Sequence, residues 1–420
     1  MPSTPLTQES ANPSPQVNLT DGEAMAFRHL AHSIVSRTLA HECEYHRLGR
    51  PELGDADWKL LKRQNELRIY KRRSQVASEP DQTRAIGMAG TPNVLCVGSV
   101  EGSLEDIMTG MHSKNREEMS ATAPFLHNSH MDCAVLAVME SGSESDPFRQ
   151  LALKWFISET FGDARLVNHR DMCTLESTGI RTDPWGQSYG YFLAKSVDLS
   201  GCPPMPESSD VVRAKMTMCC IYRQAPGARV VDVYAKGTVD LGGDLPAFLT
   251  YNASCTMMLS IAVAVESGEA KRLTLLALQH AKRSASSSKP ELEAETGVHA
   301  PGTSLSASYY STSSSNFAET TTPPPQLLLS MQTKEEREPR SQKLPVDPCW
   351  VCGKKPAMAK LVRASHRRCG ICSQRVCSKC HVKRRLIARP HPVTVACCKV
   401  CILAAKRLNV DPRDPCPILP

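Results

Sequence analysis

Four identically spaced cysteine pairs stand near one end of this 420-residue chain: Cys349-x2-Cys352, Cys369-x2-Cys372, Cys377-x2-Cys380 and Cys398-x2-Cys401. A C-x2-C turn lets two thiolates grip one ion from a single tight loop. Zn2+ takes four such ligands in a tetrahedron, so eight thiolates make two closed sites. A closed site leaves no position for water, so the two zinc ions are read as structural rather than catalytic. Few apolar residues separate the pairs, and metal binding must then supply most of the folding free energy of the segment. Cys397 offers an alternative C-x3-C spacing, but Cys398 repeats the x2 interval and is the expected ligand. The competing reading is buried or disulfide-bonded cysteine.

The chain has 18 cysteines, and nine of them fall between Cys349 and Cys401. Clustering in CxxC pairs argues for metal rather than disulfides. The cysteines before Ser284 are expected to be small buried hydrophobes. The N-terminus, MPSTPLTQES, has no basic patch followed by an apolar core, and the most apolar run, Cys255 to Val265, has 11 residues. That run is too short to span a bilayer, so the chain reads as intracellular and cytoplasmic, at most peripheral to a membrane. Charge is uneven. Between Ser341 and Val410 stand 16 Lys/Arg against Asp347 alone, a balance of +15, so the other 350 residues carry −8. Eight thiolates and two Zn2+ would bring the segment to about +11, a basic module on an acidic body that implies an anionic partner.

The elements that must carry this module are legible in outline. Residues 1–19 read as a disordered N-terminus. Thr20-Asp-Gly-Glu23 is a capping box opening an amphipathic helix to about Leu48. Two strands around Trp58-Lys-Leu-Leu and Leu67-Arg-Ile-Tyr-Lys71 form a hairpin across Arg63-Gln-Asn65. Asn93 to Ser99 is a strand, and Ser103 starts a short helix. Met131 to Met139 is a buried apolar run. Five segments read as strands: Leu151 to Ile157, Arg165 to Ser177, Tyr189 to Val197, Arg213 to Tyr222 and Val230 to Asp240. Pro246 opens a helix toward His280, with a break expected near Ser267-Gly268. The pattern predicts an α+β domain over 20–281, an antiparallel sheet covered by a long C-terminal helix. A Ser/Thr/Pro-rich disordered linker follows over 282–344, then the cysteine module over 345–410 and a tail over 411–420.

The larger domain offers no catalytic constellation. It contains no GxSxG, HExxH, P-loop or Gly-rich dinucleotide turn. His41 and His46 flank acidic residues near a helix end and read as solvated. His112, His127 and His130 have no carboxylate partner at useful spacing, and Trp185 sits in a turn as a packing residue. The chain reads as non-enzymatic.

The order C-x2-C, C-x2-C-x4-C-x2-C, then C-x2-C resembles a FYVE zinc finger. That resemblance implies a cross-brace, with Cys349, Cys352, Cys377 and Cys380 on one Zn2+ and Cys369, Cys372, Cys398 and Cys401 on the other. It also implies docking on endosomal membranes through phosphatidylinositol 3-phosphate. The headgroup motifs differ, however. Leu344-Pro-Val-Asp347 stands in place of WxxD, Ser365-His-Arg-Arg-Cys-Gly370 in place of R(R/K)HHCR, and Ala396-Cys-Cys398 in place of RVC. Arg363, His366, Arg367, Arg368, Lys383, Arg384 and Arg385 still form a basic cluster. Leu361 and Val362 stand where the family places a membrane-inserting tip. RING fingers would need a C-x-H pair and PHD fingers a histidine at Cys377, so both fit less well.

The larger domain resembles the START lipid-binding domain. The features that carry the resemblance are the first hairpin, Val97-Gly-Ser-Val-Glu-Gly-Ser103-Leu-Glu-Asp106, the Arg170-Asp171 pair, Ser196-Val197, Val211-Val-Arg-Ala214 and the long terminal helix. It implies a helix-grip fold with an apolar tunnel for a lipid ligand, against which Phe248, Met257, Met258, Leu259 and Ile261 could lie. The two modules on one chain resemble a protein group of oomycetes. Together they suggest a lipid-associated adaptor with a hydrophobic ligand and an anionic membrane as partners. The alternative is a protein–protein adaptor with a RING- or PHD-like finger and no lipid. Nucleic acid fits less well, because Trp350 is the only aromatic between Ser341 and Val410 for bases to stack on.

Overall fold

A computed structural model describes residues 16–54, 57–73, 94–126, 131–158, 168–206, 208–243, 245–286, 348–355 and 366–420. The first helix, α1 (Asp21–Arg47), starts at the expected capping box: Thr20 Oγ1 accepts from the Glu23 amide, and the Glu23 carboxylate accepts from the Thr20 amide. Hairpin β1 (Trp58–Gln64) and β2 (Leu67–Arg72) turns at Asn65, whose φ of 51° suits a residue type tolerant of that region. Strand β3 (Val94–Glu101) leads to α2 (Leu104–Met111), which is capped reciprocally by Ser103 and Asp106. Next come α3 (Arg116–Leu126), β4 (Met131–Glu140), β5 (Gln150–Ser158), β6 (His169–Thr182), β7 (Ser188–Ser196), β8 (Val211–Arg213), β9 (Lys215–Arg223) and β10 (Val230–Asp240). Helix α4 (Ala247–Ser286) ends the larger domain.

The sheet order is β1-β2-β3-β10-β9-β7-β6-β5-β4, antiparallel throughout, with β8 added parallel to β6. Strand β3 pairs with β10, so the last strand joins the N-terminal hairpin to the rest of the sheet. Alternation sorts the two faces. Cys220 and Tyr222 face α4 and α2, whereas Cys219 and Ile221 face α1. This is the α+β antiparallel sheet with a long covering helix that the sequence pattern predicts. Six of the cysteines before the linker (Cys96, Cys133, Cys173, Cys219, Cys220 and Cys255) are buried as expected.

Several expectations are corrected. Residues 16–19 belong to the fold: Val17 donates its amide to the Leu136 carbonyl, and Val17 and Leu19 pack on the α1 side of the sheet. Helix α3 has no counterpart in the sequence reading, because Pro124 lies inside it and masks the pattern. Helix α4 runs unbroken through Ser267-Gly268. Gly268 serves a close crossing instead: a Cβ there would lie 2.1 Å from the Asp106 carbonyl oxygen of α2. Gly110 answers from α2, where a Cβ would lie 1.8 Å from the Ala264 oxygen. Glycine at both positions lets the two backbones touch.

The run expected to be too short for a bilayer is part of this 40-residue helix. Among the described residues α4 is long and apolar enough to cross one. Its packing makes it a core helix. Met258, Ile261 and Ala264 are buried in the cluster shared with the sheet and α2, while Phe248, in the first turn, is 64% exposed and does not line the interior as expected. At about 1.5 Å per residue, α4 is roughly 60 Å long. That reach lets its second half serve a different cluster.

Candidate metal centre

The cysteine module is built from two small hairpins and a helix: β11 (His366–Arg368) with β12 (Arg375–Cys377), β13 (His381–Leu386) with β14 (Val393–Cys398), and α5 (Lys399–Ala405). Two of its four CxxC turns have the same geometry. The Gly353 amide donates to the Cys349 carbonyl, and the Cys349 amide donates to Lys354. Likewise, Ser373 donates to Cys369, and Cys369 donates to Gln374. Gly353 and Ser373 both take positive φ, 67° and 59°. Each turn closes on itself in a way that points both thiols to one side.

The thiols meet in two interleaved groups. Cys349, Cys352, Cys377 and Cys380 have their sulfurs within 4.8 Å of one another, as do Cys369, Cys372, Cys398 and Cys401. Four ligands at about 2.3 Å from a tetrahedral ion would be about 3.8 Å apart. The sulfur separations fit: Cys352 to Cys377 is 3.8 Å, and Cys369 to Cys401 and Cys372 to Cys398 are each 3.9 Å. Both tetrads can therefore hold a metal ion.

The surrounding amides favour thiolate. The Cys377 amide donates to Cys349 Sγ at 3.3 Å, and its counterpart, Cys398, donates to Cys369 Sγ at 3.3 Å. Burial raises the Cys349 thiol, but amide donors from Cys377, Cys352 and Val351 outweigh it and bring the thiol to about 6. Cys369 is pulled well below the ordinary thiol range by the Cys372 and Cys401 thiols. Cys398 also caps α5, its sulfur accepting from the Cys401 amide at 3.3 Å. Cys397, its neighbour, is fully buried and outside both tetrads, because alternation along β14 turns it away.

The expected basic cluster divides into two parts. Arg367 and Arg368 are exposed on β11, Lys383 is exposed on β13, and His366 lies 3.0 Å from the Lys354 carbonyl. Arg384 and Arg385, expected on the same surface, face the larger domain. Arg384 pairs with Glu269 at 3.2 Å and Arg385 with Glu266 at 2.9 Å, both on α4. The Arg385 guanidinium also lies 4.4 Å from the centre of the Phe125 ring. Arg363, Leu361 and Val362 lie outside the described residues.

These contacts belong to an interface that the sequence reading missed. Leu273, Leu276 and Ala277 of α4 share one core cluster with the cysteines of the module. Ile387 is fully buried against Ala121, Phe125 and Ala270, and its amide donates to Thr274 Oγ1 at 2.9 Å. The tail is a strap. The Leu419 amide donates to Ile387 O at 2.9 Å, and the Cys416 amide to Glu118 Oε1 at 3.2 Å. Lys114 Nζ donates to the carbonyls of Arg413 and Asp414. The expectation of two modules joined only by a linker is therefore corrected: the cysteine module is docked on α3 and α4. The only signal in the sequence was the apolar content of Leu386-Ile-Ala388 and Cys416-Pro-Ile-Leu419, which a metal site does not need.

No protein-family model matches the sequence, and no curated protein matches it. Among solved structures, human StAR-related lipid transfer protein 5 is similar over 57% of this chain and 97% of its own, at 17% identity and a TM-score of 0.36. Human STARD10 is similar over 63% of this chain and 87% of its own, at 14% identity and a TM-score of 0.37. The lipid transfer and protein localization domain of human StarD13 (DLC2) covers 55% and 95%, at 11% identity and a TM-score of 0.34. Overlap this loose does not identify the chain, whose architecture stands on its own strand order and packing.

Proposed function

We propose that the chain is a non-enzymatic, lipid-associated adaptor. The larger domain holds an apolar ligand between its sheet and α4, and the cysteine module, folded around two structural Zn2+ ions, meets an anionic membrane. One observation carries the first half. The interior between the sheet, α2 and α4 is apolar and rich in methionine: Met172, Met216 and Met218 on the sheet, Met108 and Met111 on α2 and Met258 on α4 form one cluster. Methionine's flexible thioether reshapes around an irregular apolar guest. The START-like resemblance of the sequence points the same way.

Support for the second half is the exposed basic group of Arg367, Arg368 and Lys383 on a segment that stays near +11 with both zincs bound. On the FYVE-like reading the headgroup is phosphatidylinositol 3-phosphate, and the chain works at the cytoplasmic face of endosomal membranes. Arg384 and Arg385 drop out of that surface, since α4 glutamates hold them.

The test is flotation of the zinc-loaded full chain with vesicles. Vesicles carrying phosphatidylinositol 3-phosphate are compared with phosphatidylserine vesicles of equal charge. Binding is expected to both, stronger to the phosphoinositide and weakened by salt. At roughly 1 kcal/mol per basic residue near the surface, Arg367→Ala/Arg368→Ala should cost about thirtyfold in affinity. Failure to float with either vesicle would leave the protein-adaptor reading.

A further inference from the structure

Away from the metal module, a second cysteine arrangement has the chemistry of a reactive pair. Cys173 lies on β6 and is fully buried, whereas Cys202 ends the short turn after β7 and is half-buried. The turn is fixed by the Cys202 amide donating to Leu199 O at 3.1 Å. Its anchor is Val197, whose amide donates to Cys173 O at 3.0 Å. Cys202 packs against the buried cluster that contains Cys173. Arg213 grips the turn: Nη1 donates to Cys202 O at 3.2 Å, and Nη2 lies 3.9 Å from Cys202 Sγ. The guanidinium is itself held by fully buried Asp171 at 3.0 and 2.8 Å, and Trp155 Nε1 donates to the same carboxylate at 2.9 Å.

We propose that Cys202 and Cys173 are a peroxide-oxidisable pair, with Cys202 as the attacking thiolate and Cys173 as the resolving thiol. The geometry sets the roles, because only Cys202 is accessible and only Cys202 has a guanidinium beside its sulfur. The proton balance agrees. The Cys173 thiol lowers Cys202 to about 7, and Arg213 adds to this against burial and the Asp171 charge. Cys173 moves upward, first through the neighbouring Cys202 thiol and then through burial.

The chemistry needs one external oxidant, hydrogen peroxide. The Cys202 thiolate attacks one peroxide oxygen and the O–O bond breaks. The departing hydroxide takes a proton and leaves as water, and Cys202 becomes a sulfenic acid. Cys173 sulfur then displaces the hydroxyl, which leaves as a second water with the Cys173 proton. Two thiols are oxidised to one disulfide and one peroxide is reduced to two waters. The new bond ties the 199–202 turn to β6 next to the buried Asp171–Arg213 pair.

The test uses the zinc-loaded full chain and limiting peroxide, followed by alkylation and peptide mapping. The wild type should lose these two thiols from alkylation together and yield a Cys173–Cys202 linked peptide that dithiothreitol releases. In Cys173→Ser, a sulfenic acid at Cys202 should be trapped by dimedone. In Cys202→Ser, Cys173 should remain a thiol. The proposal is overturned if Cys202 stays fully alkylatable in the folded wild type, or if it links to a different cysteine. Mapping by residue keeps any oxidation of the metal-site cysteines separate from this result.

Discussion

Cys398→Ala should reduce the metal content from two ions per chain to one, one ion belonging to each tetrad, while Cys397→Ala keeps both. The two residues are adjacent and both buried, so composition and exposure do not distinguish them. Geometry does. Cys398 Sγ stands 3.9 Å from Cys372 Sγ and caps α5, whereas Cys397 points to the other side of β14. Losing Cys398 removes a ligand and the cap together. Structural zinc in small domains contributes on the order of 10–16 kcal/mol to folding. The expected consequence is therefore unfolding of the β13–β14 and α5 region, not a partial loosening. Metal analysis of the purified variants checks the count, and amide hydrogen exchange over 381–405 checks the collapse. If Cys397→Ala loses the ion and Cys398→Ala keeps it, the ligand sets described above are wrong.

The second large effect concerns docking. Ile387→Asp should separate the cysteine module from α3 and α4 at a cost of about 4 kcal/mol or more. That combines the loss of a buried isoleucine with the cost of placing a carboxylate among Ala121, Phe125 and Ala270. Both tetrads lie outside that cluster, so the variant should still carry two metal ions. Hydrogen exchange should rise over the second half of α4, where Leu273, Thr274 and Leu276 lose their cover, while the CxxC turns stay protected. Glu266→Lys/Glu269→Lys makes the contrast. Its two ion pairs with Arg385 and Arg384 are partly exposed. Each is worth at most about 1 kcal/mol, so the double change should weaken docking only modestly at low salt. An Ile387→Asp protein with unchanged exchange along α4 would show that the interface does not hold the module.

Local rules made much of this molecule legible. The Thr20 capping box and the Asn65 hairpin turn are set by neighbours in sequence, and the structure places them there. The eight metal ligands are legible in their repeated C-x2-C spacing, whereas their grouping into the two observed tetrads follows only from the resemblance to a FYVE finger. What failed was long-range. Helix propensity disfavours Gly268 and suggests a break, but the residue that needs it small is Asp106, far away in sequence. Arg384 and Arg385 look like any basic run, and only the fold brings Glu269 and Glu266 to them. The tail has no periodic signal, since it binds through isolated backbone bonds to Ile387 and Glu118 and through the scattered apolar contacts of Cys416, Ile418 and Leu419.

The central claim is that the methionine-rich interior between sheet and α4 takes up an apolar ligand. Organic extraction and mass spectrometry of the natively purified full chain, freed of loosely held lipid by a density gradient, test it most directly. The account predicts one class of apolar lipid in stoichiometric amount, exchangeable with lipid from added vesicles. Trace lipid only, in a chain that also takes up none from vesicles, would contradict it and leave the sheet–helix interior as plain core.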